Sequence, residues 1–298
     1  MKLAHDPIQN SEVQGSIDEI LSNLSLTTIA SVTHNELDLQ WRRWLQNSSH
    51  NKIIGLDSLL YSAFCPGTTD AFGEFIARYS THTIRVSRND FVLTKILARS
   101  WNRKLKFLED GPLEHNDCVL ISLPFSGNGS YHSAWPSILD QAEDLDVPIF
   151  IDAAYFGLSH GIVYPLNRTC VKDFTVSLSK NLAGNSLRLG MRFTRDHVDD
   201  GITAGLLGSD MFDRLNAYIS IELLKAYSHN WFISKYKKSS DMIAKNLGLS
   251  NTHTVTLKIG NDSMTEFKRG DFVRVVISEE LSDIATTDNF NSNKFIAI

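Results

Sequence analysis

Short apolar runs alternate along the chain with segments in which apolar residues recur at helical spacing. Residues 118–123, and residues 149–151 just before Asp152, are apolar runs of the kind typical of strands buried on both faces of a sheet, and residues 84–87 and 173–178 predict two further strands. Helical spacing is found at residues 16–24, 36–46, 91–101 and 135–145, and Asn35 is a predicted N-cap. This alternation predicts an α/β fold with a mostly parallel sheet flanked by helices.

The last third of the chain has a different pattern. Residues 210–247 form one long helical region that Gly248 ends, and residues 254–259 and 272–277 predict two more strands. Residues 1–15 are polar and predict a poorly ordered start, whereas residues 281–298 predict a polar tail.

Composition adds bounds on the class of protein. The chain has 298 residues, 42% of them hydrophobic and 21% charged, which suits one large α/β domain with a small appendage in a soluble protein. A net charge of −5 predicts no nucleic-acid partner. No apolar run is long enough to span a membrane, so no membrane partner is expected. The three cysteines show neither zinc spacing nor a disulfide framework, and we therefore expect no metal site and a reducing, cytoplasmic location.

The candidate chemistry lies at the ends of two predicted strands. The run 149–152 ends on Asp152, and the run 173–178 is followed by Ser179 and Lys180 and, after a glycine-containing turn, by Arg188. The carboxyl ends of parallel strands are where open α/β sheets bind ligands. A lysine shielded from water can form a Schiff base, a buried carboxylate can pair with a pyridinium nitrogen, and hydroxyls with an arginine can hold a phosphate. Together these groups describe a pyridoxal-phosphate site.

The same residues carry a resemblance to a known family. The segments Asp152-Ala-Ala-Tyr155 and Ser177-Leu-Ser-Lys180, with Arg188 downstream, resemble the aspartate aminotransferase family of fold-type I pyridoxal-phosphate enzymes. The resemblance implies that Lys180 is the Schiff-base lysine, that Asp152 pairs with the pyridine nitrogen and that Tyr155 hydrogen-bonds the ring oxygen. It implies phosphate contacts from Ser177 and Arg188, with Ser179 beside them. In isolation Lys180 would be interpreted as a surface lysine and Asp152 as a helix cap.

Two further segments match the family's cofactor contacts. Gly67, Thr68 and Thr69 form a turn that opens a helix, and in the resembled family this turn holds the cofactor phosphate; alone, it would be interpreted as a plain N-cap. The first strand would then be residues 58–64. Phe91 stands where the family places an aromatic ring that stacks on the pyridine, and the alternative is a core phenylalanine.

Two contacts depart from the family pattern or match it loosely. The loop 124–129 has Ser126 where the family has an asparagine that bonds the ring oxygen, and Asn128 could serve instead if the loop is shifted. Arg274 stands where the family places the arginine that grips the substrate α-carboxylate, and the alternative is an ordinary exposed strand arginine.

The resemblance spans roughly residues 35–280. It implies an N-terminal segment 1–34, a large cofactor-binding domain 35–210, and an interdomain helix with a reduced small domain at 211–298. It also implies a homodimer, with part of the interface drawn from apolar residues of the long helical region, some of which could instead be intrachain core: Leu215, Tyr218, Ile221, Leu224, Tyr227 and Trp231.

The implied activity is that of an aminotransferase acting on an α-amino acid and a keto acid. Because the cofactor site is shared across the fold type, elimination, γ-replacement, racemisation and decarboxylation stay open. A non-catalytic shortened paralogue is a further alternative.

Overall fold

A seven-stranded sheet is the centre of the structure, a computed structural model that describes residues 7–184 and 187–286. The strands of these residues are β1 (Lys52–Ile54), β2 (Tyr61–Cys65), β3 (Thr83–Val86), β4 (Leu105–Phe107), β5 (Asp117–Ser122), β6 (Ile149–Ala153), β7 (Val163–Pro165), β8 (Val171–Ser177), β9 (Gly190–Thr194), β10 (Leu257–Ile259), β11 (Lys268–Arg269) and β12 (Phe272–Val276). The central sheet has the order β2-β9-β8-β6-β5-β3-β4, and within it β9 runs antiparallel to its neighbours. The prediction of a mostly parallel α/β sheet is confirmed.

The helices of the described ranges are α1 (Ser11–Ser22), α2 (Leu26–Ala30), α3 (His34–Gln46), α4 (Thr69–Arg78), α5 (Val92–Ser100), α6 (Trp135–Asp144), α7 (Arg214–Ala226), α8 (Trp231–Asn246) and α9 (Ser278–Thr286). A π-helical segment, Gly201–Leu207, lies between β9 and α7. No helix in the described ranges is long and apolar enough to cross a membrane.

The core lies on both faces of the sheet. All six residues of β5 are buried, and their side chains alternate between two apolar clusters: Cys118 and Leu120 pack on one side, and Val119 and Ile121 on the other. The first cluster includes residues of α4 and α5, and the second includes residues of α3, α6 and α7. This two-sided burial explains why β5 and β6 are continuous apolar runs in the sequence.

A second, smaller sheet follows the last long helix. Strands β10, β12 and β11 form an antiparallel sheet in that order. The tight turn between β11 and β12 contains Gly270, whose φ of +63° lies in the left-handed region that favours glycine. This turn contacts the β3–α5 loop through Asn89, which bonds Asp271 twice, at 2.7 and 3.2 Å. The hairpin therefore lies against the edge of the central sheet where β3 ends.

Both chain ends differ from the prediction. Residues 11–15 are helical, because Asn10 caps α1 by accepting a hydrogen bond from the Val13 amide and Val13 itself is buried. Near the other end, α9 extends from Ser278 to Thr286 with Leu281 buried, so the predicted tail begins later than residue 281. Residues 287–298 of that tail lie outside the described residues.

The long helical region is also divided. It consists of α7 and α8, because the carbonyl of Tyr227 accepts a hydrogen bond from Trp44 Nε1 (3.0 Å) and His229 packs between Trp44 and Phe156. Ile221, Leu224 and Tyr227 are buried within the chain, which assigns these three proposed interface residues to its own core.

Smaller boundary errors follow from capping and turns. Thr33, rather than Asn35, caps α3, because its side chain accepts from the Glu36 amide. The first central strand begins at Tyr61, since residues 56–58 form a 3-10 turn. The strand after the glycine-containing turn begins at Gly190, so Arg188 precedes it.

Candidate active site

One cleft at the carboxyl ends of the parallel strands collects most of the predicted residues. Its volume is about 180 Å³, and no cluster of His, Cys, Asp or Glu suited to a metal ion occurs in the part of the chain that the structure describes. The lining side chains are Thr68, Thr69, Phe91, Ser122, Pro124, Ser126, Asp152, Ala154, Tyr155, Ser177, Ser179, Lys180, Arg188, Arg269 and Arg274.

Strand register explains why these residues meet. Ser122 on β5 lies opposite Asp152 on β6, and Asp152 lies opposite Thr175 on β8, two residues before Ser177. Ser177 in turn lies opposite Gly190 on β9. Residues that are far apart in sequence therefore share one edge of the sheet.

Asp152 is a buried carboxyl of this edge with a strongly raised pKa. It is 9% exposed, it accepts hydrogen bonds from the Ala154 amide (3.1 Å) and the Thr68 hydroxyl, and its pKa rises from 3.8 to about 7. Burial is the main cause, and the neighbouring carboxylate of Asp90 adds to it, whereas Lys180 opposes the shift. An ionised Asp152 is thus costly in this cleft unless a positive group is placed against it.

This pKa shift predicts a stability effect in the cofactor-free protein. A raised pKa means that folding is penalised once the carboxyl must ionise, so the penalty is absent below the unfolded value of 3.8 and complete above the folded value of about 7. Asp152→Asn should therefore raise the free energy of unfolding by at most about 4 kcal/mol near pH 8, and change it little near pH 4. Urea unfolding of both proteins at the two pH values measures this, and an equal effect at both would contradict it.

A cup of hydroxyl, amide and guanidinium groups lies beside Asp152. Ser177 Oγ donates to Ser179 Oγ (3.0 Å) and accepts from the Ser179 amide (3.0 Å), and Arg188 Nη1 donates to Ser179 Oγ (3.4 Å). Thr68 and Thr69 open α4, whose first amides are available to an anion. The arrangement can hold a phosphate.

Gly67 packs closely against Arg188, one of the groups that form the cup. Its φ is +81°, and a Cβ on it would collide with the guanidinium of Arg188, while a Cβ on Gly190 would lie 2.8 Å from the Gly67 backbone. The two glycines thus allow the turn before α4 to approach β9 and Arg188 closely.

Substitution of Gly67 tests this packing. Gly67→Ala should displace Arg188 and weaken binding of a phosphate-bearing ligand about tenfold or more, since charge-assisted hydrogen bonds to the anion are lost. Gly248→Ala is a matched control, because Gly248 also has a positive φ (+65°) but has open space around it at the end of α8. Calorimetric titration with the cofactor measures both; equal weakening in the two variants would show that strain, not the cup, is responsible.

The sequence interpretation missed a buried acid that bonds two residues of the cleft, Ser122 and Phe91. Asp90 accepts hydrogen bonds from the amide and hydroxyl of Ser122 and from the Phe91 amide (2.7 Å), and Ser122 Oγ accepts from the Ser126 amide (2.7 Å). Asp90 therefore ties the loop that carries Phe91 to the loop that carries Ser126. The available signal was an aspartate just after a strand, next to Phe91.

Phe91 itself lines the cleft while it also packs against the core cluster that contains Phe72, at a ring distance of 6.4 Å. Both sequence interpretations of Phe91 thus have a structural counterpart.

Arg274, on β12, also lines the cleft. It is 8% exposed, shares a hydrogen bond with Tyr155, and its buried Nε has no partner. Burial is the main cause that lowers the pKa of Arg274, yet an arginine in a protein stays protonated. The expectation of an exposed strand arginine is therefore excluded by its burial.

Asn128 is not brought into the cleft. Its side chain is used within its own turn, where Oδ1 accepts from the Ser130 amide (2.8 Å) and Nδ2 donates to the Tyr131 carbonyl (3.0 Å). Ser126 lines the cleft instead. The loop shift that Asn128 would need is not present in this structure.

Comparison with known proteins bears on the fold. The sequence matches no protein-family model and no curated protein. Solved structures are similar: OvoB (TM-score 0.66, 12% identity, 97% of this chain and 93% of that chain), a PLP-bound C–S lyase from Staphylococcus hominis (0.65, 11%, 92% and 82%), and the histidinol-phosphate aminotransferase from Clostridium acetobutylicum (0.60, 15%, 94% and 97%). The chain therefore has the fold of the fold-type I pyridoxal-phosphate enzymes.

Proposed function

We propose that the protein is a pyridoxal-phosphate-dependent enzyme that attaches its cofactor through Lys180. The observation that carries the proposal is the joint position of Lys180, the buried Asp152 and the cup formed by Ser177, Ser179 and Arg188 in one cleft. The site fits the group: the cup suits a phosphate, and a buried carboxyl with a raised pKa suits a ring nitrogen that brings its own proton. One of the similar structures, the C–S lyase, is PLP-bound, which supports a pyridoxal-phosphate-dependent enzyme.

Each side chain then has a proposed role. Gly67, Thr68, Thr69, Ser177, Ser179 and Arg188 would hold the phosphate, Phe91 would stack on the ring, and Tyr155 with Ser126 would hydrogen-bond the ring oxygen. Asp152 would keep the proton on the ring nitrogen, because attraction between the two opposite charges offsets the cost of ionising a buried carboxyl.

We propose transamination between an α-amino acid and a keto acid as the reaction. When bound, the cofactor supplies an electron sink for the charge that develops at the substrate Cα. Lys180 would take the proton from Cα and return it elsewhere as a general base and acid. Arg274 would grip the α-carboxylate, and so orient the Cα–H bond toward Lys180.

A C–S lyase reaction is the second candidate, because lyases are among the similar structures. The two reactions differ in their products. Transamination converts an added keto acid to a new amino acid and releases no ammonia, whereas elimination releases ammonia and a thiol from one substrate. The protein is therefore incubated with single amino acids, with and without a keto acid, and a new amino acid should form only when both are present. Ammonia formed in the absence of a keto acid would favour the lyase. No turnover of any amino acid would favour the non-catalytic paralogue.

We also propose that the protein is a homodimer in a reducing cytoplasm. The interface is supported by large apolar side chains that are exposed near the start of α7, namely Leu206, Met211 and Leu215. The reducing location is supported by the three cysteines, which are free and buried. An obligate interface would bury more than about 2,000 Å². Light scattering at micromolar concentration should give twice the 33.5 kDa chain mass, and Met211→Lys should lower it; an active protein of single-chain mass would contradict the dimer.

A further inference from the structure

A second buried carboxyl interacts with Asp152. Asp90 lies in the loop between β3 and α5, and it is 7% exposed. After burial, the charge of Asp90 is the next largest cause that raises the pKa of Asp152. Ser122 relates the two positions, because it donates to Asp90 and lies opposite Asp152 in the register of β5 and β6. Two interacting carboxyls in a buried site are unfavourable when both are ionised, so one of them retains a proton.

Hydrogen bonds favour the ionised form of Asp90. Its carboxylate accepts from the Ser122 amide (2.9 Å), the Ser122 hydroxyl and the Phe91 amide (2.7 Å). The Ser122 hydroxyl in turn accepts from the Ser126 amide (2.7 Å), which leaves its own hydrogen for Asp90. Burial raises the pKa of Asp90, and these hydrogen bonds counteract the rise together with the positive charge of Lys95. A carboxylate surrounded by donors is held in its charged state.

Asp152 is held less strongly in its ionised form. It accepts one backbone amide, that of Ala154 (3.1 Å), and the Thr68 hydroxyl, and its pKa rises to about 7. The positive charge of Lys180 opposes this rise without cancelling it. When the surroundings of two coupled acids differ in this way, the proton resides on the acid that is less well stabilised as an anion.

The other titratable groups that face the pair do not reverse this order. Asp90 faces Lys95 on α5 and Arg274 on β12, and both positive charges stabilise its ionised form. Lys95 also faces Glu109. Asp152 faces the thiol of Cys65 and the phenol of Tyr164, and burial raises the pKa of each, so both are neutral near pH 7.

We propose that Asp90 is a positioning residue that keeps a proton on Asp152 in the cofactor-free protein, so that a cofactor with a protonated ring nitrogen displaces that proton as it binds. The O–H bond of Asp152 breaks, its proton passes to solvent, and the resulting carboxylate pairs with the ring N–H, which stays intact. The inference rests on the proposed function, in which Asp152 faces the ring nitrogen. Protons therefore oppose cofactor uptake below about pH 7, where Asp152 is protonated, and this effect is absent above it.

Two ligands separate the ring nitrogen from the phosphate cup. 4-Deoxypyridoxine 5′-phosphate has the ring and the phosphate but no aldehyde to react with Lys180, whereas inorganic phosphate has no ring. Both are titrated calorimetrically into the full-length, cofactor-free protein between about pH 5 and 8. The ratio of the two dissociation constants should shift toward the ring ligand by up to about tenfold per pH unit and level off near pH 7, since one proton is displaced. In Asp152→Asn this ratio should not depend on pH.

Variants of the pair test the role of Asp90. Asp90→Asn removes the neighbouring charge, so the ratio should level off at a lower pH. Ser122→Ala removes one of the three donors but keeps the carboxyl, so it should cause a smaller change in the same direction, and it replaces Asp90→Asn if that variant does not fold. Asp110→Asn is the matched control, because Asp110 is an exposed acid that pairs with Arg88 of the same loop, and it should keep the wild-type profile.

A wild-type ratio that does not depend on pH, an unchanged profile in both Asp90→Asn and Ser122→Ala, or an equal change in Asp110→Asn would overturn the proposal. If the ring ligand does not bind at any pH, the proposed function fails, and urea unfolding of the cofactor-free protein still decides on the pair. Asp152→Asn should then stabilise the Asp90→Asn protein less than the wild type near pH 8, and both proteins equally near pH 4. Equal stabilisation of both proteins near pH 8 would show that Asp90 does not act on Asp152.

Discussion

Replacement of Lys180 by alanine is expected to lower turnover by about 10³- to 10⁴-fold, the upper part of the range of about 10²- to 10⁴-fold that a general acid–base group contributes. The side chain lies in the cleft beside Asp152, and no other lysine lines it among the described residues. The variant should still bind the cofactor through the phosphate cup, but it should not hold it covalently. Product formation over time, and release of cofactor on gel filtration, measure the two effects.

Lys245→Ala is a suitable control, because Lys245 is an exposed lysine in the last turn of α8. It should keep wild-type turnover and cofactor retention. Turnover of the Lys180 variant at the wild-type rate would remove Lys180 from the chemistry, whatever the fold.

Asp152→Asn should have the second largest effect, a loss of about 10²-fold or more in turnover with cofactor still bound. The amide keeps the shape of the carboxyl and its bond to the Ala154 amide, but it carries no charge to hold a proton on the ring nitrogen. Steady-state kinetics with a saturating amino acid measure this loss. Asp144→Asn, at the exposed end of α6, is the control, and equal activity of both variants would contradict the role of Asp152.

This prediction combines with the stability effect described above. The same substitution should weaken catalysis and stabilise the cofactor-free fold above about pH 7, because a buried carboxyl ionises at a cost that the bound ring nitrogen would offset. A variant that loses both activity and stability would instead indicate a structural defect.

The centre of the fold could be predicted from sequence because its strands are buried on both faces. The side chains of β5 and β6 must be apolar on each side of the sheet, and such runs are visible without a structure. Side chains at the ends of these runs, such as Asp152, could be assigned to one sheet edge because parallel strands end together.

The break between two helices and the start of the first helix could not be predicted, because tertiary contacts determine both. The break between α7 and α8 depends on Trp44, which is about 180 residues away and bonds the Tyr227 carbonyl. The start of α1 depends on burial of Val13 against the rest of the chain. The helical spacing of apolar residues does not reveal either of these tertiary contacts.

The same distinction between local sequence pattern and tertiary contact applies to the residues of the candidate site. Residues that follow buried strands were predicted, whereas Arg269 was missed because it lies on a two-residue strand in a polar segment. Asp90 was missed since its partner, Ser122, is a long-range contact. Asn128 stayed open in sequence as an alternative to Ser126 that needed a shifted loop, and the turn that uses its side chain decides between the two.

Borohydride reduction of the purified wild type, followed by peptide mass analysis, tests the central claim most directly. Reduction fixes a cofactor that is bound through a Schiff base to the lysine that holds it. The account predicts one modified peptide, with the added mass on Lys180. Modification of a different lysine, or a fully unmodified Lys180 in protein saturated with pyridoxal phosphate, would contradict it.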